Sequence, residues 1–194
     1  MASKCTSIQK SLGWCQGTPE LPGVKRRIYY LAKSEIVVFP QLPRDTLGRA
    51  TSAVLDGSYT LAADAKWKYI DILPDKSQLT SEAQGELPSQ TQLNKLTAVH
   101  PGVGAEASAA AAYINNSDNV FIVEDMKGNY RVLGNDKWNT KANMLVGYDQ
   151  MGDVENVMVK EYAPFILSYI ATMFFGVQFE TLDKRRFKTV EITL

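Results

Sequence analysis

The sequence predicts a mainly β, α+β fold: an antiparallel β-sandwich or half-barrel with one flanking α-helix. Three observations predict it. Turn-forming residues recur roughly every ten positions along most of the chain. The runs between them are rich in Ile, Val, Tyr and Phe, the residues that suit a pleated, half-buried surface. Only one stretch, rich in alanine, has a sustained helical period. With 194 residues, one domain is the default.

Residues 1–24 contain Gly13, Gly17, Pro19, Pro22 and Gly23, a spacing that breaks regular structure. They read as an extended N-terminal arm, with Trp14 as an apolar anchor against this subunit or a neighbour. Residues 25–194 read as a single β-rich domain. Ile28–Leu31 and Ile36–Phe39 form two short strands or one bent strand, ended by Pro40 and Pro43. Residues 40–56 make a loop.

Ser58–Ala63 and Lys66–Leu73 read as a hairpin turning at Ala63-Asp64-Ala65. Alternation puts Trp67, Tyr69 and Asp71 on one face and Lys68, Ile70 and Ile72 on the other. A polar stretch from Pro74 to Ser89 reads as a projecting or docking loop with room for a short strand at 79–84. Thr91–Val99 is a further strand.

Gly104–Asn115 is the one strong helix, since alanine leads the helix scale. Val103, Ala107, Ala110, Ala111 and Ile114 share a face whose small side chains let it lie close on a sheet. Asn115-Asn116 makes its stop. Asn119–Glu124 and Tyr130–Leu133 flank Met126-Lys127-Gly128-Asn129 as the clearest hairpin. Asn143–Tyr148 and Asn156–Tyr162 form another pair, and Gln178–Leu182 with Phe187–Ile192 a last one.

Composition narrows the function classes. There are 21 basic and 21 acidic side chains, so no net charge draws the chain to nucleic acid or an anionic membrane. The first residues lack the apolar core of a signal peptide, and the run 165–175 is too short to span a bilayer as a helix. Cys5 and Cys15 have no nearby histidine to complete a zinc site. His100, the only histidine, precedes Pro101 in a turn, and there is no G-x-S-x-G elbow or H-E-x-x-H pair. Gly102-Val103-Gly104-Ala105-Glu106-Ala107 matches G-x-G-x-x-[GA], but Pro101 precedes it and no second βαβ unit follows. The basic triplets Lys25-Arg26-Arg27 and Lys184-Arg185-Arg186 read as solvated turn or strand-edge clusters rather than phosphate grips, and Arg27 and Arg186 could also pair with acids on another subunit. Asp71, Asp75, Glu82 and Glu86 read as solvated loop acids rather than a glycosidase pair.

A set of longer stretches carries a resemblance. They are Lys33-Ser34-Glu35-Ile36, Lys66-Trp67-Lys68-Tyr69-Ile70-Asp71-Ile72, Asp75–Glu86, and Asn116–Val120 with its continuation to Arg131-Val132-Leu133-Gly134-Asn135. Over residues 8–164 the chain resembles structural proteins of phages and prophages of Bacteroides-type bacteria, specifically the phage major tail (tail-tube) family. The segment after Pro164 departs from that pattern.

The resemblance implies a non-enzymatic virion protein, assembled in the bacterial cytoplasm. It would form homo-oligomeric rings, usually hexameric, that stack into a tube and meet other phage tail proteins. DNA would be non-specific passing cargo, with no cofactor and no membrane. On this reading the candidate self-assembly residues are Trp14, Arg27, Gln78, Glu82, Gln84 and Glu86. A head–tail connector or tail-completion protein is the nearest alternative. A dinucleotide-binding enzyme using the Gly102–Gly104 loop is a more distant one.

Overall fold

The computed structural model describes residues 16–17, 22–48, 50–87, 90–102, 104–149, 152–163 and 169–170. Trp14, Cys5, Cys15 and the last expected strand pair (178–192) lie outside them, as does most of the apolar run 165–175. The fold is mainly β, with antiparallel sheets and one helix.

The first sheet has five strands. β1 (Val24–Ala32) pairs with the edge strand β4 (Lys68–Asp71) on one side and with the central strand β7 (Asn119–Asp125) on the other. Beyond β7 lie β8 (Tyr130–Leu133) and β11 (Tyr169–Ile170). The second sheet runs β5 (Gln78–Gln84), β6 (Thr91–Pro101), β10 (Gly152–Ala163), β9 (Thr140–Asp149). A small ribbon pairs β2 (Ile36–Val38) with β3 (Thr60–Leu61). Every described strand pairing is antiparallel.

Two apolar clusters use opposite faces of the first sheet. Ile28, Ile70, Phe121, Val123 and Leu133 meet Leu96, Ala98 and Met144 of the second sheet, together with Ala111 and Ile114 of the helix. On the other face Leu31, Trp67, Val120, Ile122 and Val132 are covered by Ile36, Leu55 and Tyr59 from the ribbon and the 40–56 loop. β7 is therefore buried on both faces. This explains its unbroken apolar run Val120-Phe121-Ile122-Val123, the pattern of a strand with no solvent side.

The helix α1 (Ala105–Asn115) buries Ala111 and Ile114, on the face the spacing predicted. Asn116 and Ser117 end it by donating side-chain hydrogen bonds to the Ala112 and Tyr113 carbonyls (2.7 Å each). The β7–β8 hairpin and the β9–β10 pair form where expected.

Two expectations are corrected. The turn at Ala62–Ala65 forms, with Asp64 at a φ of 64°, but its arms do not pair with each other. β3 joins β2, while β4 joins β1. Trp67 packs edge-on against Tyr59 (5.3 Å between ring centroids), whereas Ile70 and Ile72 enter the other cluster. Only a strand inside a two-faced sheet can bury both sets, so sheet membership overrides the local hairpin. The polar stretch 74–89 is not simply a projecting loop: the short strand it had room for forms as β5, entered through a 3-10 turn at Pro74–Lys76. The 40–56 segment is a loop, held by isolated bridges between Gln41 and Asp56 and between Arg44 and Ala50.

Candidate assembly edge

β5 positions three of the predicted residues, Gln78, Glu82 and Gln84, and Glu86 follows two residues beyond its end. It is the outermost strand of the second sheet, and among the described residues no strand pairs with its outer side. Its residues alternate. Leu79 packs against the inner core, and Ser81 donates to Asn94 Oδ1 (2.7 Å) beneath the sheet. Gln78, Glu82 and Gln84 are exposed on the opposite face.

The direction of the peptide groups follows from one bond. The Leu73 N–H donates to the Val99 carbonyl (2.8 Å), so Val99 presents its peptide oxygen to the β5 side of β6. Antiparallel strands alternate with period two, and residues directly opposite share one bonding state. Thr97, Lys95, Leu93 and Thr91 therefore face β5 and bond Gln78, Thr80, Glu82 and Gln84. Leu79, Ser81 and Ala83 turn their N–H and C=O groups outward. Such a row is a template for a further strand. β5 has no proline, no lysine and no bulge against that, and its one charge is Glu82.

The opposite edge of the same sheet is guarded. Carrying the alternation across β6 and β10 turns the peptide of Met144, on β9, outward. There Asn115, the last residue of α1, meets it twice. Asn115 Nδ2 donates to the Met144 carbonyl (2.9 Å), and the Met144 N–H donates to Asn115 Oδ1 (2.6 Å). A carboxamide carries the same donor and acceptor as a peptide unit, so Asn115 occupies the place of one residue of a neighbouring strand. Sequence reading saw Asn115 only as a helix stop. Nothing local distinguishes it, because its partner is 29 residues away.

Within the chain, Arg27 has an acidic partner of its own. Its Nε donates to Asp71 Oδ1 (2.8 Å) across β1 and β4, and its guanidinium stacks 4.0 Å from the Tyr69 ring centre. The hydrogen bond from Arg27 to Asp71 raises the guanidinium pKa further. Beside the pair lies an open cleft of about 930 Å³ between the Ala62–Ala65 turn and Tyr29, Trp67 and Tyr69. Its walls set Arg27, Lys66 and Lys68 beside Glu35 and Asp64. The described residues lining it include no histidine, cysteine or serine.

The acids read together in sequence are separated. Asp71 belongs to the first sheet and Glu82 to the second. The His100 ring holds the Asp71 carbonyl with Nδ1 (2.7 Å), a tie between the sheets. Gly102, at a φ of 134°, and Gly104 link β6 to α1. The strands before and after the helix lie in different sheets, so the glycine pair has no parallel βαβ frame to hold a pyrophosphate. Among the described residues no group of three potential ligands could hold a metal ion, and no helix is long and apolar enough to cross a membrane.

Comparison of the chain with models of protein families, with curated proteins and with solved structures finds no significant match.

Proposed function

We propose that this chain is a structural virion protein of a tailed phage or prophage. It assembles into stacked rings, hexameric as the resemblance implies, that form the tail tube for DNA passage. The single observation that carries the reading is the edge of β5, a row of outward peptide groups on a seven-residue strand that no strand covers among the described residues. An edge left open without proline, lysine or bulge is an aggregation hazard in a protein that works alone, and a joint in one that works as copies. Two exposed apolar tips lie on connecting segments: Leu87 (82 % exposed) after β5, and Leu47 (65 %) in the 40–56 loop. They suit contacts between rings or with other tail proteins. The balanced charge lets DNA pass as cargo without being gripped.

The test is assembly itself. Purified chain is followed by sedimentation velocity and negative-stain microscopy as its concentration rises. Rings and tubes are expected. Ala83→Pro removes an outward N–H without touching the ladder to β6, so it should stay folded and fail to assemble. Rings that never stack would move the reading to a connector. A strict monomer at all concentrations would refute it.

A further inference from the structure

We infer that the β9 edge under Asn115 is the acceptor for β5 of a second copy, and that the Asn115 side chain is a removable plug on that acceptor. The inference rests on the self-assembly reading above and adds to it the partner surface.

Polarity allows the joint. The second sheet has four strands and only antiparallel neighbours, so its two edges, β5 and β9, run in opposite directions. A copy added head to tail sets its β5 beside β9 in the antiparallel sense. Hydrogen-bond parity allows it as well. The outward peptides of β5 belong to Leu79, Ser81 and Ala83, and those of β9 to the even-numbered residues that include Ala142 and Met144.

The faces agree. Leu79 on β5, and Ala142 and Met144 on β9, all point into the inner core of their own subunit. Pairing one outward row with the other therefore keeps the core face on the same side across the joint. An odd number of strands would have failed on polarity. The charges also agree: Glu82 is the only charge on β5 and is exposed on the face away from the core, as Lys141 is on β9. A head-to-tail contact of this kind closes rings, whereas β5 meeting β5 gives only a two-fold dimer.

The plug is a single exposed side chain at the end of α1, a helix docked through its core face. No side chain caps its N-terminus, and only Ala111 and Ile114 are buried. Its last residue can leave Met144 when a real strand arrives with the same donor and acceptor.

The experiment uses hydrogen exchange at the Met144 amide together with the concentration at which assembly begins. Asn115→Ala removes both bonds. In the free subunit Met144 exchange should rise roughly thirtyfold, the worth of two ordinary hydrogen bonds, and assembly should begin at lower concentration. Once assembled, the variant should regain Met144 protection, because β5 of the neighbour now covers it. Asn115→Asp keeps the acceptor and loses the donor, so it gives an intermediate onset and serves if the alanine variant does not fold. Assembled Asn115→Ala with Met144 still exchanging as in the free subunit would overturn the inference while leaving self-assembly intact. An unchanged onset in both variants would overturn it too. No assembly by the wild-type chain would refute the proposed function instead.

Discussion

Replacing Gly134 by alanine tests how tightly the connection between β8 and β9 is fixed. Gly134 has a φ of 94°, in the left-handed region. A Cβ there would lie 3.0 Å from Thr140 Cγ2, 3.2 Å from the Asn119 carbonyl oxygen and 3.5 Å from Val120 Cα. The Thr140 methyl cannot simply rotate away, because Thr140 Oγ1 donates to that same Asn119 carbonyl (2.6 Å). Gly128 is the comparison. Its φ is 88°, but its nearest neighbour to a new Cβ is Glu124 Oε1 at 3.9 Å. Both substitutions carry the left-handed cost of about 1–2 kcal/mol. Only Gly134→Ala adds a crowding cost of about 1–3 kcal/mol. With an m-value of about 2 kcal/mol/M in urea, the extra term moves the unfolding midpoint by about 0.5–1.5 M beyond Gly128→Ala. In a Thr140→Ser background, which keeps the hydroxyl and removes the methyl, part of that gap should close. Equal midpoints for the two alanine variants, or no relief from Thr140→Ser, would refute the reasoning.

Further outcomes follow from the same contacts. Asp125 is pulled up by burial, but hydrogen bonds from the backbone and side chain of Asn129 and from Arg131 outweigh this and leave its pKa below the ordinary 3.8. A depressed acid stabilises above its unfolded pKa and loses that contribution as pH falls through the folded value. Asp125→Ala should therefore cost about 1–3 kcal/mol near neutral pH, with the gap to wild type shrinking in acid below pH 3.8, read by urea unfolding. Arg27→Ala breaks a pair whose side chains are 44 % and 45 % exposed, so it should cost under about 1 kcal/mol and depend on salt; a larger, salt-independent loss would show that stacking on Tyr69 dominates. Ala83→Pro and Asn115→Ala should act in opposite directions on assembly, the first abolishing it and the second advancing it.

The sequence made local structure legible wherever a local cause acts. The Asn119–Leu133 hairpin, the helix face at Ala111 and Ile114, and the β9–β10 pair all rest on contacts between near neighbours. Long-range choices were not legible. Ser58–Leu73 has the alternation of a hairpin, yet its arms go to different sheets, because Trp67 and Ile70 need cores on opposite faces. The polar stretch 74–89 reads as a loop with room only for a short strand at 79–84. β5 needs only Leu79 for the core and takes the rest of its stability from the β6 ladder, so a polar edge strand resembles a loop. The predicted assembly residues Gln78, Glu82 and Gln84 do share one edge strand, and Glu86 follows it; Trp14 lies outside the described residues. Arg27 is joined to Asp71 within the chain. Asn115 was invisible because a carboxamide at a helix end looks like an ordinary stop until its distant partner is placed.

A sheet buried on both sides also divides the molecule's response to stress. The covering formed by Ile36, Leu55 and Tyr59 shares no residue with the cluster on the opposite side, so it can lift off while the opposite layer stays closed. Amide exchange should then report two steps of opening, with the covering yielding first and the middle strand last, since that strand is released only when both layers have gone. Protease cuts confined to residues 40–56 would be the first sign of the earlier step.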